Sequence, residues 1–293
     1  MRRGRGIPRR LTSVLLALVL GLAVAPGVAL ADGGTGGEAA DAALAPMTPE
    51  QIRARDTKLQ VLAAMTESGK GKKGNGKTAY MIPPDDDGSW PNEVILAAKP
   101  RHQYRMWFCG PATIQVLSNL SWGYTNTSLD GQSATTNKYK QTYISNTWAH
   151  ASSSSGTTFA NLIDGLNGAV DVPFSGFYSQ WQGPTWWQFH SAIMTDTHVY
   201  GLGVAAGVNP RKSGSIYYLT SWKNNTPGNI GHYIPIRGYT GDGQESATVY
   251  YSDSAGGADE VDGTLIAGST GNFKDPSYTV YKTMMNRYGN LAW

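Results

Sequence analysis

A single cysteine, Cys109, stands in a chain of 293 residues. One cysteine has no partner in its own chain, so an intramolecular disulfide framework and the paired-cysteine zinc folds are both excluded. The chain must therefore hold together by burying apolar surface. With 40% hydrophobic residues, nine Trp and sixteen Tyr it has the material, and that aromatic content excludes wholesale disorder.

Charge and texture divide the chain. Arg2, Arg3, Arg5, Arg9 and Arg10 open it, and Leu11 to Ala31 is almost wholly apolar or small, ending Ala29-Leu30-Ala31 before Asp32. A basic start, an apolar run and an A-x-A site predict a secretory signal peptide over 1–31. Pro26 and Gly27 interrupt the run, which argues against a membrane anchor of about 20 continuous apolar residues. The expected product is a secreted, extracellular protein with no stable membrane anchor after cleavage. Losing five arginines takes the formal charge from +3 to −2, and nucleic-acid binding loses its electrostatic warrant.

Residues 32–78 read as a propeptide or a flexible N-terminal extension. Thr48-Pro49-Glu50-Gln51 offers an N-cap, a proline in the first turn and a reciprocal Gln. Ile52, Leu59, Val61, Leu62 and Met65 then predict an amphipathic helix to about Glu67, followed by a Gly/Lys linker at 70–77. From Ala79 to Trp293 the composition is uniformly aromatic, Gly, Ser, Thr and Asn, with 12 basic and 15 acidic residues. This reads as one domain.

Cys109 lies in Gln103-Tyr-Arg-Met-Trp-Phe-Cys109-Gly110-Pro111-Ala112. Ala112, Ile114, Val116, Leu117 and Leu120 recur at helical spacing after it, and Pro111 suits a first turn. A cysteine at a helix N-terminus has unpaired N–H groups and the macrodipole to favour its thiolate; a small buried hydrophobe is the plainer alternative. A thiolate nucleophile wants a base, an orienter and an oxyanion donor. His232 opens a strand-like run to Tyr239, and Thr248 to Tyr251 is a second run that leads to Asp253. A hairpin between the two would return Asp253 to His232, and Gln103 supplies an amide near Cys109. His102, His150, His190 and His198 rank lower as bases. His198 to Val204 reads as a strand. Gly156-Thr157-Thr158 introduces a helix through Leu166, and Gly183-Pro184 another over 186–194. Trp107, Trp186 and Trp187 are candidates for lining a substrate cleft, with packed core as the alternative.

Gln103, Cys109-Gly110-Pro111-Ala112, Gly231-His232-Tyr233, Gly238-Tyr239 and Tyr250-Tyr251-Ser252-Asp253 together resemble the C39-like branch of the papain-like cysteine peptidases, in that family's order. The resemblance implies an α+β papain-like fold in which the Cys109 helix packs on an antiparallel sheet. It implies Cys109 as nucleophile, His232 as general acid/base, Asp253 as orienter and Gln103 as oxyanion donor, acting on a peptide or protein substrate through a thioester. The His-to-Asp separation of 21 residues is longer than the family's usual loop, and Ser254 stands where a proline is common. Asp242, Asn224 and Asn225 therefore stay open as third members. No cofactor and no catalytic metal are expected, since no H-E-x-x-H-type spacing occurs. An acyltransferase or deamidase of the same fold, or an inactive binding protein built on it, are the alternative functions.

Overall fold

The computed structural model describes residues 47–68, 91–123, 140–241 and 246–293. The signal-peptide reading, the 70–77 linker, both proposed segment boundaries and Asp242 lie outside the described residues. Among the described residues no helix is long and apolar enough to cross a membrane.

In chain order the elements are α1 (Pro49–Ser68), β1 (Glu93–Ile95), α2 (Cys109–Ser121), α3 (Gln141–Ile144), α4 (Phe159–Ala169), β2 (Gln180–Gln182), α5 (Trp186–Met194), β3 (Val204–Val208), β4 (His232–Thr240), β5 (Thr248–Asp253), β6 (Gly271–Pro276), α6 (Ser277–Met285) and β7 (Asn290–Ala292). The class is α+β. The strands form one sheet in the order β2-β7-β3-β4-β5-β6, with β1 added to β4, and every pairing is antiparallel.

Strand periodicity places the helices. Side chains alternate across a sheet, and here both faces are apolar. Val204, Ala206, Val208, Ile234 and Ile236 pack on one face with Phe189, Ile193 and Met194 of α5 and Val280 and Met284 of α6. Ala205, Tyr233 and Ala292 face the other way, against Ile114 and Leu117 of α2 and Leu162 and Leu166 of α4. Two apolar faces need two helical layers, which is why β3 and β4 read as near-continuous buried strands. The predicted helix starts are present: Thr158 accepts from the Asn161 N–H, and Thr185 with Gln188 forms a capping box.

One expectation is corrected. His198 lies in a π-helical turn at Thr195–Val199 that extends α5, and β3 begins only at Val204. Gly201 takes φ +65 there, and a Cβ on Gly203 would lie 2.4 Å from the Ile236 carbonyl oxygen, so this stretch turns before it can extend. The polar stretch 125–150 lies partly within the described residues. Its described part carries α3 and a π-helical turn at Ser145–Ala149. Ile144 and Ala149 are fully buried, and Trp148 fits where Gly168 leaves room.

α1 has the predicted bounds to within a residue, but its key contact was not foreseen. Lys58, wholly buried, donates to Asp196 Oδ2 at 2.9 Å, and its ammonium lies 3.3 Å from the centre of the Phe177 ring and 5.2 Å from that of Trp293. Burial lowers Lys58 to about 8 and raises Asp196 to about 6, each partly restrained by the other's charge. Gly176 meets the α1 backbone so closely that a Cβ would lie 2.8 Å from Gln51 N. The helix is thus held by a desolvated ion pair under aromatic rings, at the 195–199 turn.

Removing one partner of such a pair leaves the other charge buried and uncompensated. Lys58→Met alone is expected to cost about 3–5 kcal/mol of unfolding free energy, and Lys58→Met combined with Asp196→Leu to regain most of it. Urea unfolding of the three proteins measures both. A double variant no more stable than Lys58→Met would show that charge compensation is not what the pair supplies.

Candidate active site

The segment before α2 is irregular, and carboxylates hold it in place. Met106 N–H donates to Asp259 Oδ2 at 2.9 Å, and Asp259 also pairs with Arg105 at 3.3 Å. His102 pairs with Glu260, while the histidine that interacts with Cys109 is His232. Tyr104 N–H donates to Gln141 Oε1, whose amide nitrogen returns to the His102 carbonyl. These bonds fix the chain as it enters α2 at Cys109.

Cys109 is the first residue of α2 and is half-buried. Gly110 is required by packing: a Cβ there would sit 2.4 Å from Thr157 Oγ1, so the 150–158 loop lies directly on the helix start. Trp107 lies two residues before Cys109, half-buried under the Arg105 guanidinium at 4.4 Å, with its carbonyl 3.9 Å from the place of a Cβ on Gly156. It stays beside Cys109. Trp186 and Trp187 do not. Trp186 donates to Ser277 Oγ and stacks edge-on against Tyr278. One turn further along α5, His190 bonds Ser277 and the Gly241 carbonyl, beyond the end of β4 opposite His232. The cleft expectation for Trp186 and Trp187 is therefore corrected: Trp186 packs against the core, and Trp187 is an exposed residue on the same helix.

β4 and β5 form the predicted hairpin, and it returns Asp253 to His232. His232 Nε2 bonds Asp253 Oδ1 at 2.8 Å, with both side chains buried. Three further donors converge on the carboxylate: Ser221 Oγ at 2.7 Å and Trp222 Nε1 at 3.1 Å on Oδ2, and the Ala255 N–H at 2.8 Å on Oδ1. The Trp222 ring also flanks the imidazole, 5.5 Å between centres. Neither Ser221 nor Trp222 was singled out from sequence. They sit in a 3-10 turn at Thr220–Trp222, within the 23-residue stretch between β3 and β4 where no motif marks them, an indole in a polar segment being the one available signal. The Asn224 and Asn225 alternatives fall away, because Asp253 occupies the position beside His232.

With Nε2 held by Asp253, Nδ1 is the ring nitrogen left for the Cys109 sulfur. Burial opposes the proton on His232, but the Asp253 charge and hydrogen bond, with Cys109, outweigh it and raise His232 to about 10. Burial likewise pushes the Cys109 thiol up. The His232 hydrogen bond and charge, the Tyr233 backbone and the Arg287 guanidinium outweigh that and hold it below its ordinary 9.0. The shifts have opposite sign and a common meaning: the thiolate–imidazolium pair is favoured over the neutral pair.

Gln103 is buried, and its backbone N–H donates to the Ser254 carbonyl beside Asp253. Its side-chain nitrogen donates to the Met106 carbonyl, which fixes the NH₂ end there. An amide nitrogen carries two N–H groups, and this bond uses one of them. Cys109, His232, Asp253 and Gln103 are therefore brought together, with Trp107 at the edge.

No protein-family model matches the chain, and no curated protein matches it. Among solved structures it is similar to the Amb a 11 cysteine protease of ragweed pollen in its proform, at TM-score 0.41 and 9% identity over 85% of this chain and 87% of that one. It is similar to digestive procathepsin L 3 of the Tenebrio molitor larval midgut, at TM-score 0.30 and 12% identity over 84% and 93%. The recombinant stem bromelain precursor gives TM-score 0.32 and 12% identity over 83% and 90%. Likenesses this distant leave the functional reading to the side chains themselves.

The titration of Cys109 tests the coupling. Its alkylation rate against pH should rise first below pH 9 and again near pH 10, as His232 loses its proton. In Asp253→Asn the carboxylate charge that holds that proton is gone, so the second inflection should move down by about one unit or more. Iodoacetamide kinetics followed by intact mass measure both, and an unmoved upper inflection would separate Asp253 from the ionisation of the pair.

Proposed function

We propose that the chain is a cysteine peptidase or amidohydrolase of papain-like type, working through a Cys-His-Asp triad. The observation that carries the reading is the buried His232–Asp253 bond beside a cysteine at a helix N-terminus, where both ionisations favour the thiolate.

In this reading the Cys109 thiolate attacks the carbonyl carbon of a peptide or amide bond. The electron pair moves to the carbonyl oxygen, and the second N–H of Gln103 with the Cys109 backbone N–H stabilises the oxyanion. As the tetrahedral intermediate collapses, His232 gives its proton to the departing amine and a Cys109 thioester is left. His232, now neutral, takes a proton from water. The hydroxide adds to the thioester, the C–S bond breaks, and the carboxylic acid product leaves while the thiolate stays on Cys109 beside the protonated His232. Asp253 keeps Nε2 of the ring engaged throughout, so the other nitrogen always faces sulfur and substrate. No step calls for a cofactor. The C39-like resemblance and the order Gln103, Cys109, His232, Asp253 support the same chemistry. Export to the cell exterior is read from Arg2 to Ala31 alone, and 32–78 as the leader of the exported precursor.

Cys109→Ala should abolish cleavage of a mixed peptide substrate such as a casein digest, and His232→Ala should lower kcat/KM by about 10³-fold. Acid quenching of the wild type during turnover should show a covalent acyl mass on the Cys109 peptide. Cleavage that survives in Cys109→Ala would end this reading.

A further inference from the structure

Arg287 follows α6 in the turn that leads into β7, 55 residues beyond the histidine in sequence, yet it lies against the histidine's own strand. Gly231 immediately precedes His232, and a Cβ on it would fall 1.2 Å from Arg287 Nη1 and 2.1 Å from Cζ. The missing side chain of Gly231 is the space the guanidinium fills. The group lies 5.8 Å from the centre of the Tyr233 ring and 5.6 Å from that of Tyr288. Tyr233 is also the residue whose backbone borders the Cys109 sulfur, and the guanidinium is close enough to act on that thiol.

Two neighbouring segments carry bases, although Asp253 and Asp275 bond into the first of them through Ser221, Trp222 and Thr220. Residues 209–230 and 277–293 carry Arg211, Lys212, Lys223, Lys282 and Arg287 and no Asp or Glu, in a domain where acids outnumber bases. The two segments pack together: Asn209 N–H donates to the Thr283 carbonyl at 2.9 Å, Asn286 Nδ2 to Ser215 Oγ at 3.0 Å, and Lys212 Nζ to the Asn286 carbonyl at 3.4 Å. Between them opens a cavity of about 330 Å³ lined by Lys212, Ile216, Tyr217, Lys282 and Asn286. Arg287 thus lies against the start of the histidine's strand, and the preceding residue, Asn286, lines the recess.

We infer that Arg287 is a specificity-determining residue that binds a carboxylate of the substrate next to the scissile bond, so that the preferred substrates are acidic peptides. This rests on the peptidase reading for the word substrate, but the local cation is testable without turnover. A planar guanidinium backed by aromatic rings suits a carboxylate, which it can hold through two parallel hydrogen bonds. The lysines beyond it would favour further acidic residues by longer-range attraction.

Two measurements decide it. The first is the ratio of Cys109 alkylation rates by iodoacetate and by uncharged iodoacetamide at pH 7 and low salt. A purely structural role for Arg287 would change both rates alike. Binding of the anionic reagent predicts that the ratio falls about fivefold in Arg287→Gln, that Arg287→Lys keeps much of it, and that Gly231→Ala, which displaces the guanidinium without removing it, also lowers it. Thermal unfolding checks that the variants are folded. The second is kcat/KM for paired fluorogenic peptides carrying Asp or Asn at successive positions around one bond. The wild type should favour Asp about tenfold at one position or more, and Arg287→Gln should bring the pair to within about twofold. An alkylation ratio that Arg287→Gln leaves unchanged overturns the inference, and so does hydrolysis indifferent to Asp. If no peptide is cleaved while the ratio still falls, the anion site stands and it is the peptidase reading that fails.

Discussion

The chemistry of this molecule depends on the register between two strands. β4 and β5 pair Thr240 with Thr248 and Tyr239 with Val249, and the register shifts between Ile236 and Gly238 before Ile236 meets Tyr251. A one-residue slip in a strand sends every side chain to the opposite face, and the bulge does this locally. Ile234 and Ile236 share one core face, yet beyond the bulge it is Tyr239, an odd-numbered residue, that joins them. The extra residue, Arg237, turns to the residue that follows the first strand: its carbonyl accepts from the Leu96 N–H, and its Nη1 donates to the Leu96 carbonyl. Gly238 lets that strand approach, since a Cβ would lie 2.2 Å from the Val94 carbonyl oxygen. Beyond this adjustment His232 reaches Asp253 while both strand ends remain in the core.

The site is assembled from contacts of very different range. Cys109 is delivered by local rules, a helix start with proline in its first turn. His232 and Asp253 meet through a hairpin, 21 residues apart. The carboxylate's other side-chain donors, Ser221 and Trp222, come from the approach to β4, and Arg287 from beyond α6. Each further shell is held by partners more remote in sequence. The last of them is set by space alone, a glycine whose absent side chain admits a guanidinium.

That gradient explains what could be read from the residues in advance. Helices with caps, Pro49 to Ser68, Phe159 to Ala169 and Trp186 to Met194, follow from side chains within a turn of one another. The hairpin follows from two apolar runs and a turn cluster between them. The four residues Gln103, Cys109, His232 and Asp253 were legible because a family order groups them. Trp186 and Trp187 stay open between cleft and core in the sequence because an aromatic residue looks the same there whether a helix end or a cleft receives it. His198 misled because an apolar neighbourhood suggests a strand, while Gly201 and Gly203 decide the backbone. Lys58 gives no local sign of burial at all; its charge is matched by Asp196, 138 residues away.

The solitary cysteine has a consequence for the redox chemistry of the molecule. A low-pKa, partly exposed thiolate is readily oxidised to a sulfenic acid. The usual safe exit is condensation with a second cysteine, and this chain has none. Cys109–SOH can be returned only by a small thiol from solution or by joining another molecule, and otherwise it proceeds irreversibly to the sulfinic and sulfonic acids. The feature that frees the fold from disulfides also leaves its most reactive atom without a resolving partner.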